Sequence, residues 1–163
     1  MRVGVITDVH NNAAALDVAL GALRRAGCGR ILCCGDIIGI GPRPEETVRR
    51  LARLPGLVAV RGNHERYLLE GMPDAVPNDQ GMGRDEMEHH RWEHSRLSAQ
   101  SISFLRALPC RADIELGGLR VAVMHYAMSG GRYLDLAPQP GPDDCRRMFA
   151  EVDADVVLYG HDH

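Results

Sequence analysis

The sequence predicts an α/β fold, and three observations support this prediction. Short apolar runs rich in β-branched residues recur along the chain, and amphipathic segments of helical period separate the first three runs. Gly and Pro residues mark the boundaries between these segments. Strands and helices that alternate with short connections are typical of a doubly wound parallel sheet. At 163 residues, 45% of them hydrophobic, the chain suits a single domain with a sizeable core.

The first part of the chain contains three predicted strands and two predicted helices. Asn11 and Asn12 are suited to cap the first helix, and Gly27 follows its last apolar turn. Pro44 begins the second helix, which ends near Leu54. The three strands, continuous apolar runs of the kind buried on both faces, are Val3–Thr7, Ile31–Cys34 and Leu57–Val60.

The pattern changes between Tyr67 and Leu108, where no segment is typical of a strand. Residues 72–83 are rich in turn residues, residues 85–95 have a polar helical pattern, and Ser98 is suited to cap another helix that ends before Pro109. We therefore expect residues 67–109 to be a helical cap inserted into one domain that spans residues 1–163. In the polar helix, His90 and His94 share a face and could bind a metal or a phosphate, but a solvated helix face is the favoured interpretation.

Strands resume after the insertion. Ala112–Leu116 and Leu119–His125 flank a Gly-Gly pair, which predicts a tight hairpin. Pro142 begins a further helix that continues to about Glu151, and Asp155–Tyr159 is the last predicted strand.

Composition argues against several classes of function. A net charge of −3 gives no electrostatic case for binding nucleic acid or a membrane surface. No run approaches the roughly 20 apolar residues of a membrane span, and the first residues lack the pattern of a signal peptide. The five cysteines, without CxxC spacing, are expected to be reduced, which favours a cytoplasmic protein.

Five short polar clusters follow or close the apolar runs, so each lies at the carboxyl end of a predicted strand. Ligands bind at this edge of an open α/β sheet. The clusters offer carboxylate, amide and imidazole groups, which together suit a transition metal better than magnesium or calcium. They are Asp8-Val9-His10, Gly35-Asp36, Gly62-Asn63-His64, His125 and Gly160-His161-Asp162-His163.

The spacing within the clusters favours joint binding of two divalent ions. Asp8 and His10 are two residues apart at a strand end, so their side chains leave on the same side, and the last two histidines repeat this spacing. Gly35 allows close approach of the backbone, and the Asp36 carboxylate has two oxygens with which to bridge two ions. Two ions at roughly 3.5–4 Å can clamp and hydrolyse a phosphate ester.

Each cluster taken alone has an ordinary structural explanation. An Asp-x-His pair is commonly a turn, an Asn-His pair after glycine can cap a helix, and His125 can be a hydrogen-bonded core residue. The final His-Asp-His can be a solvated segment. Their occurrence at five successive strand ends favours a shared metal site over these separate explanations. A structural zinc site is disfavoured because no cysteine lies in the clusters.

The order Asp-x-His, Gly-Asp, Gly-Asn-His, His, Gly-His-x-His resembles that of the calcineurin-like metallophosphoesterase superfamily, over essentially the whole chain. The loop at residues 35–42, Gly-Asp-x-x-Gly-x-Gly-Pro, is similar to that of the small prokaryotic phosphoesterases and phosphodiesterases. It lacks the arginine of the phosphoprotein phosphatases. The resemblance implies a four-layer α/β/β/α sandwich with a dinuclear metal centre.

The resemblance also implies roles for individual residues. His64 would contact the phosphate and protonate the leaving oxygen, which makes it, with Asp36, a candidate catalytic residue. Manganese is the first expectation for the two divalent ions, with iron, zinc, cobalt and nickel as alternatives. One ion would be held by Asp8, His10, Asp36 and His163, and the other by Asp36, Asn63, His125 and His161.

Two features depart from the family pattern. Asp162 stands where the motif usually has threonine, and the sequence ends at His163, where relatives continue for several strands. We therefore expect a second sheet that is incomplete at its C-terminal side, with an exposed edge that favours a homodimer.

Together these features predict a metal-dependent phosphoesterase that hydrolyses phosphomonoesters or phosphodiesters with a hydroxide bridging two ions. The expected substrate is a small phosphate ester, with a nucleotide as one candidate. Asn63 and His64 would contact it, and Arg43 is a candidate for holding a second phosphate. The alternative is a metal-binding but catalytically weak scaffold or protein-interaction module of the same fold.

Overall fold

The computed structural model describes residues 2–72, 82–135 and 139–163. Within these residues the chain forms eight strands and six helices. The strands are β1 Val3–Ile6, β2 Arg30–Cys33, β3 Val58–Ala59, β4 Arg111–Leu116, β5 Leu119–Met124, β6 Met128–Ser129, β7 Arg132–Tyr133 and β8 Val156–Leu158. The helices are α1 Ala13–Arg25, α2 Pro44–Ala52, α3 Asn63–Glu70, α4 Arg84–His94, α5 Ala99–Ala107 and α6 Pro142–Met148.

The first sheet is parallel, as the alternating pattern predicts, with the strand order β1-β2-β3. Side chains alternate across β2. Ile31 and Cys33 belong to a core shared with α1, α2 and α5, whereas Leu32 and Cys34 belong to a core shared with the second sheet. The doubly wound arrangement expected from the pattern is therefore wrong on one face, because a second sheet packs there.

The second sheet has the order β4-β5-β8, with β4 and β5 antiparallel and β8 parallel to β5. Gly117 and Gly118 adopt φ values of 61° and 85° at the turn between β4 and β5, which confirms the predicted hairpin. The short hairpin of β6 and β7 was not expected, because strands of two residues have no periodicity to detect. The α/β fold with two sheets is confirmed, and a fourth layer stays a prediction.

The bounds of the five predicted helices agree with the sequence patterns to within a few residues, whereas α3 was not predicted. One exchange of roles occurs at the start of α1. The Asn12 side chain accepts a hydrogen bond from the Ala15 amide at 3.0 Å, so Asn12 is the cap. Asn11 is buried instead and bonds elsewhere. Pro44 begins α2 as expected.

The described part of residues 67–109 contains helices and no strand, as expected. The predicted turn-rich segment falls largely on residues 73–81, outside the described residues. Ser98 caps α5 by accepting a hydrogen bond from Ser101, and the fully buried Leu105 belongs to the first core.

The cysteines and helices bear on two further expectations. All five cysteines are free thiols, and Cys33 and Cys34 are fully buried. In the described part of the chain, every helix is too short or too polar to cross a lipid bilayer.

Candidate metal centre

The carboxyl ends of strands from both sheets meet at one edge, and the polar clusters lie there. Asp8 and Asp36 follow β1 and β2, and Asn63 begins α3 just beyond β3. His125 directly follows β5, and His161 follows β8. The two sheets therefore place all five clusters on the same rim, where an α/β fold binds its ligands.

One group of possible ligands forms around Asp8. The His10 Nε2 lies 3.8 Å from the Asp8 Oδ1 and 3.2 Å from the His163 Nε2. The His163 Nε2 lies 4.0 Å from the same Asp8 oxygen. The His163 side chain is 58% exposed, while Asp8 and His10 are almost fully enclosed.

A second group forms around His125, which is fully buried. Its Nε2 lies 2.9 Å from the Asn63 Oδ1, 3.1 Å from the His161 Nδ1 and 3.3 Å from the Asp36 Oδ2. Its Nδ1 is 2.9 Å from the Cys34 carbonyl, which can only accept, so Nδ1 carries the proton. A metal ion bound at Nε2 would replace the proton through which His125 interacts with Asp36 in the absence of metal.

Asp36 lies between the two groups and is only 2% exposed. Its Oδ2 is 3.3 Å from the His125 Nε2 and 3.9 Å from the His10 Nε2. Burial alone would raise the pKa of Asp36, but the hydrogen bond and the charge of His125 outweigh burial and lower it. An ionised carboxylate in this position suits a ligand shared by two cations.

The chemistry of these groups fits divalent metal ions. Imidazole nitrogens of the pairs His10–His163 and His125–His161 approach within 3.2 Å and 3.1 Å, beside a buried carboxylate. Lone pairs that converge in this way repel one another unless a proton or a cation lies among them. The set of nitrogen and oxygen donors suits manganese, iron or zinc better than calcium.

Backbone strain is concentrated at the same rim. Asp8, His10, Asp36 and His161 all have positive φ, between 45° and 75°, although none is glycine. Such conformations cost about 1–3 kcal/mol each and persist at functional sites when the surrounding structure enforces them. The strain supports a functional role for these four positions.

Glycines bring the backbone close to these side chains. A Cβ atom at Gly62 would overlap the Asp36 carboxylate, with the carboxyl carbon at 2.8 Å. A Cβ atom at Gly39 would lie 2.6 Å from the His10 Nδ1 and 2.8 Å from the His64 Nδ1. Gly39 and Gly62 are therefore required for close packing of the backbone around the candidate ligands.

Glu65 holds two of the ligand-bearing loops, a role that sequence reasoning missed. It is fully buried, and its carboxylate accepts hydrogen bonds from the amides of Asp36 at 3.0 Å, Ile38 at 3.0 Å and Gly62 at 2.7 Å. Burial raises the pKa of Glu65 to about 7, while the bonds from Ile38 and Gly62 oppose this shift. The sequence feature that could have indicated this role is a glutamate two residues after the candidate ligand Asn63.

Glu93 of α4 performs a similar task from the inserted segment. Its fully buried carboxylate accepts hydrogen bonds from the Gly39 amide at 2.9 Å and from the Asn11 side chain. It also lies 2.8 Å from the His90 Nδ1. The loop after Asp36 and the loop after His10 are thus both tied to α4. Sequence reasoning missed this role because the contacts are long-range.

His64 lies at the edge of the candidate ligands. Its Nε2 is 3.7 Å from the Asp36 Oδ2, and its ring is mostly buried. Burial lowers the pKa of His64 to about 4, with Asp36 opposing the shift and His10 adding to it. Desolvation therefore favours the neutral ring over the imidazolium at neutral pH.

Two other candidates take positions that the sequence did not predict. Arg43 is exposed, and its guanidinium pairs with Glu46 at 3.4 Å near the start of α2 rather than with a candidate ligand among the described residues. The favoured interpretation of His90 and His94 as a solvated face is wrong. His90 is only 1% exposed and His94 is half-buried, because this face of α4 packs onto the loop around Gly39.

Comparisons with known proteins find relatives of similar sequence and structures of similar fold. The chain is 24% identical over 169 residues to an uncharacterized protein of Methanocaldococcus jannaschii, covering 99% of this chain and 62% of that protein. The crystal structure of a hypothetical protein from Pyrococcus horikoshii matches with a TM-score of 0.77 at 18% identity, over 96% of this chain and 68% of that one.

A metallophosphoesterase from Sphaerobacter thermophilus has a crystal structure that matches with a TM-score of 0.74 at 27% identity. The match covers 99% of this chain and 60% of that one, so the chain spans about three fifths of the length of this relative and of the archaeal protein from M. jannaschii. The family model described as the calcineurin-like phosphoesterase superfamily domain matches residues 1–163. The chain therefore belongs to the calcineurin-like phosphoesterase superfamily.

Proposed function

We propose that this protein is a metal-dependent phosphoesterase with two divalent ions at the candidate centre. The observation that supports this most strongly is the position of Asp36, a buried carboxylate between two groups of imidazoles. The similarity to a protein described as a metallophosphoesterase, at 27% identity, supports the same activity.

The proposed ligand sets follow the two groups described above. Asp36 is shared, and manganese is the first candidate metal, with iron, zinc, cobalt and nickel as alternatives. Two ions held there would lower the pKa of a shared water and offset the charge of the phosphoryl oxygens. The first ion would be held by Asp8, His10, Asp36 and His163, and the second by Asp36, Asn63, His125 and His161.

His64 is the proposed proton donor to the leaving oxygen. Its Nε2 lies 3.7 Å from the Asp36 Oδ2, and the two proposed ligand sets leave it available to a substrate. A phosphate ester brings negative charge close to the ring, which favours uptake of a proton there. Water supplies the new P–O bond, the bond to the leaving oxygen breaks, and His64 transfers its proton to that oxygen. Help of this kind contributes roughly 10²–10⁴-fold to the rate.

The leaving group provides the test of this role. We expect His64→Ala to retain its metals and to lose most of its kcat on alkyl phosphate esters. Nitrophenyl esters should lose much less, because their leaving group departs without a proton. Metal content of the variant, measured by mass spectrometry, is the control. Equal losses on the two substrate types would refute the donor role.

Two nitrophenyl substrates test which class of ester the protein hydrolyses. Bis-nitrophenyl and mono-nitrophenyl phosphates, assayed with added manganese, separate diesterase from monoesterase activity. Asp36→Asn is the matched negative control, since it removes the shared carboxylate. If the metal-loaded protein is no faster than this variant on any ester, the activity is refuted and a scaffold or protein-interaction module of the same fold is favoured.

Several further expectations extend this proposal. Residues 67–109 are proposed as a cap that shapes the substrate site, and their glutamate contact with the Gly39 loop supports this. A nucleotide substrate is proposed as one candidate, to be tested with nucleoside mono- and diphosphate esters. A homodimer is proposed as well, to be tested by sedimentation. The five free thiols support the proposed cytoplasmic setting.

A further inference from the structure

A cavity lies directly beside His64, on the side of α4. Its volume is about 380 Å³, within the range of small-molecule sites, and it is lined by Ile40, His64, Glu86, His89 and His90. The His64 and His90 ring centroids are 4.9 Å apart. A proton donor must lie within hydrogen-bond reach of the leaving oxygen. If His64 has that role, the leaving group occupies space beside it, and this cavity offers such space.

The hydrogen bond to Glu93 fixes the tautomer of His90. The His90 Nδ1 lies 2.8 Å from a Glu93 carboxylate oxygen, which can only accept, so Nδ1 carries a proton. In the neutral ring the Nε2 is then an acceptor. This Nε2 is buried without a hydrogen-bond partner among the described residues, and a Glu86 oxygen lies 3.9 Å from it. A buried acceptor of this kind is costly unless a ligand satisfies it.

The other polar groups on the α4 side of the cavity, His89 and Glu86, also offer acceptors. The His89 Nε2 donates to the Gly39 carbonyl at 3.2 Å, which leaves its Nδ1 as an acceptor. Glu86 contributes a half-exposed carboxylate, and Ile40 contributes an exposed apolar surface. The α4 wall therefore presents acceptors and negative charge, and a ligand with hydrogen-bond donors complements it.

We propose that this cavity receives the leaving group of the substrate and selects alcohols that carry a hydrogen-bond donor, a hydroxyl or an ammonium group, beyond the ester oxygen. The inference rests on the proposed phosphoesterase function and adds the chemical class of the alcohol to it. His90 and Glu86 are the specificity-determining residues, and Glu93 positions His90 by holding its tautomer.

The experiment compares phosphate esters of ethanolamine, ethylene glycol and ethanol, as monoesters and as methyl diesters, by ³¹P NMR in manganese at pH 8.5. This pH lies above the range in which imidazole usually takes up a proton. We expect kcat/KM for the two donor-bearing esters to exceed that of the ethyl ester by about tenfold, the value of one good hydrogen bond to a charged or buried acceptor.

The intrinsic reactivity of each ester is the same for every variant. Substitutions therefore show which part of a substrate preference comes from the cavity. Glu86→Gln should reduce the ethanolamine preference about fivefold or more, and His90→Leu should reduce the ethylene glycol preference. Each preference is measured as a ratio to the ethyl ester on the same variant, so a general loss of activity does not alter it. Glu88→Gln, on the exposed face of the same helix, is the matched control and should change no ratio. Unfolding midpoints of all variants verify that they fold.

Binding provides a readout that is independent of turnover. The Kd values of ethanolamine phosphate and ethyl phosphate are measured by calorimetry on the manganese-loaded protein and on Glu86→Gln. If no ester is hydrolysed but the ethanolamine ester binds more tightly and loses this advantage in the variant, the phosphoesterase proposal fails and the donor-selective site stands. If ratios of rate and of Kd are the same in parent and variants, the inference about the cavity is overturned while hydrolysis stands.

Discussion

Removal of the Glu93 carboxylate tests how the inserted segment supports the metal centre. This carboxylate is fully buried and accepts hydrogen bonds from the Gly39 amide, the Asn11 side chain and the His90 ring. Gly39 lies in the loop that follows the candidate ligand Asp36, and Asn11 lies in the loop that follows the candidate ligand His10. We therefore expect Glu93→Ala to weaken both the fold and the binding of metal.

The magnitude follows from the donors left behind. In Glu93→Ala the Gly39 amide and the His90 Nδ1 lose their partners, whereas the Asn11 amide keeps the Gly39 carbonyl. A buried donor without a partner costs about 1–3 kcal/mol, so the free energy of unfolding should fall by about 3 kcal/mol. Glu93→Gln should cost only about 1 kcal/mol. Its amide oxygen still accepts from Gly39, and its amide nitrogen can donate to the other tautomer of His90.

Urea denaturation of the metal-free protein measures these differences, and manganese titration measures the second effect. Disturbed support of metal ligands typically lowers affinity 10–100-fold, and we expect a loss in that range for Glu93→Ala. Glu88→Ala, which is exposed on the same helix, should stay within about 0.5 kcal/mol of the parent. Equal stability of the parent and Glu93→Ala, or equal costs for the alanine and glutamine variants, would refute the reasoning.

Three more predictions concern the centre and the fold. Gly62→Ala should reduce the number of metal ions per chain, measured by mass spectrometry, because its Cβ would overlap the Asp36 carboxylate. Gly29→Ala is the control, since a Cβ there meets open space and should not change metal loading. Normal metal loading of both variants would contradict the prediction. Manganese at about 100 times its Kd should raise the free energy of unfolding by about 2.7 kcal/mol per site, and a chelator should abolish this gain. An unfolding midpoint that responds to neither manganese nor chelator would argue against a metal site in the folded protein. Glu45→Gln should cost about 1 kcal/mol at pH 7, because this carboxylate accepts two hydrogen bonds from Ser98. These bonds outweigh burial and lower the pKa of Glu45 in the fold, so its contribution is present at neutral pH and is lost as pH falls through that depressed pKa. The gap between parent and variant should therefore close in acid, and a gap that stays constant with pH would count against the assignment.

The sequence predicted the parts of the fold that depend on local pattern. Periodicity and turn chemistry predicted the first two strands, the helix caps at Asn12 and Ser98, and the Gly117-Gly118 hairpin. The hairpin of β6 and β7 is too short to show a period. A continuous apolar strand indicates that both faces of the first sheet are buried. It does not reveal whether helices or a second sheet cover the second face, because that depends on tertiary packing.

The candidate site shows the same division. Residues at strand ends were predicted to meet because parallel strands share an edge, and the structure places them within hydrogen-bond and ion-pair distances of one another. Their roles as ligands stay predictions. Glu65 and Glu93 were missed because a polar residue in a helix is usually solvated, and only tertiary contacts make these two carboxylates into anchors for the loops. The burial that lowers the pKa of His64 is likewise a tertiary effect that the local sequence does not encode.

The central claim is that Asp36 is shared between two metal ions. The most direct measurement is anomalous diffraction from crystals loaded with manganese, together with the metal count per chain in solution. We predict two anomalous peaks, one on each side of Asp36, and a count of two that falls in Asp36→Asn. An absence of peaks beside this carboxylate, or an unchanged count of two in the variant, would contradict the account.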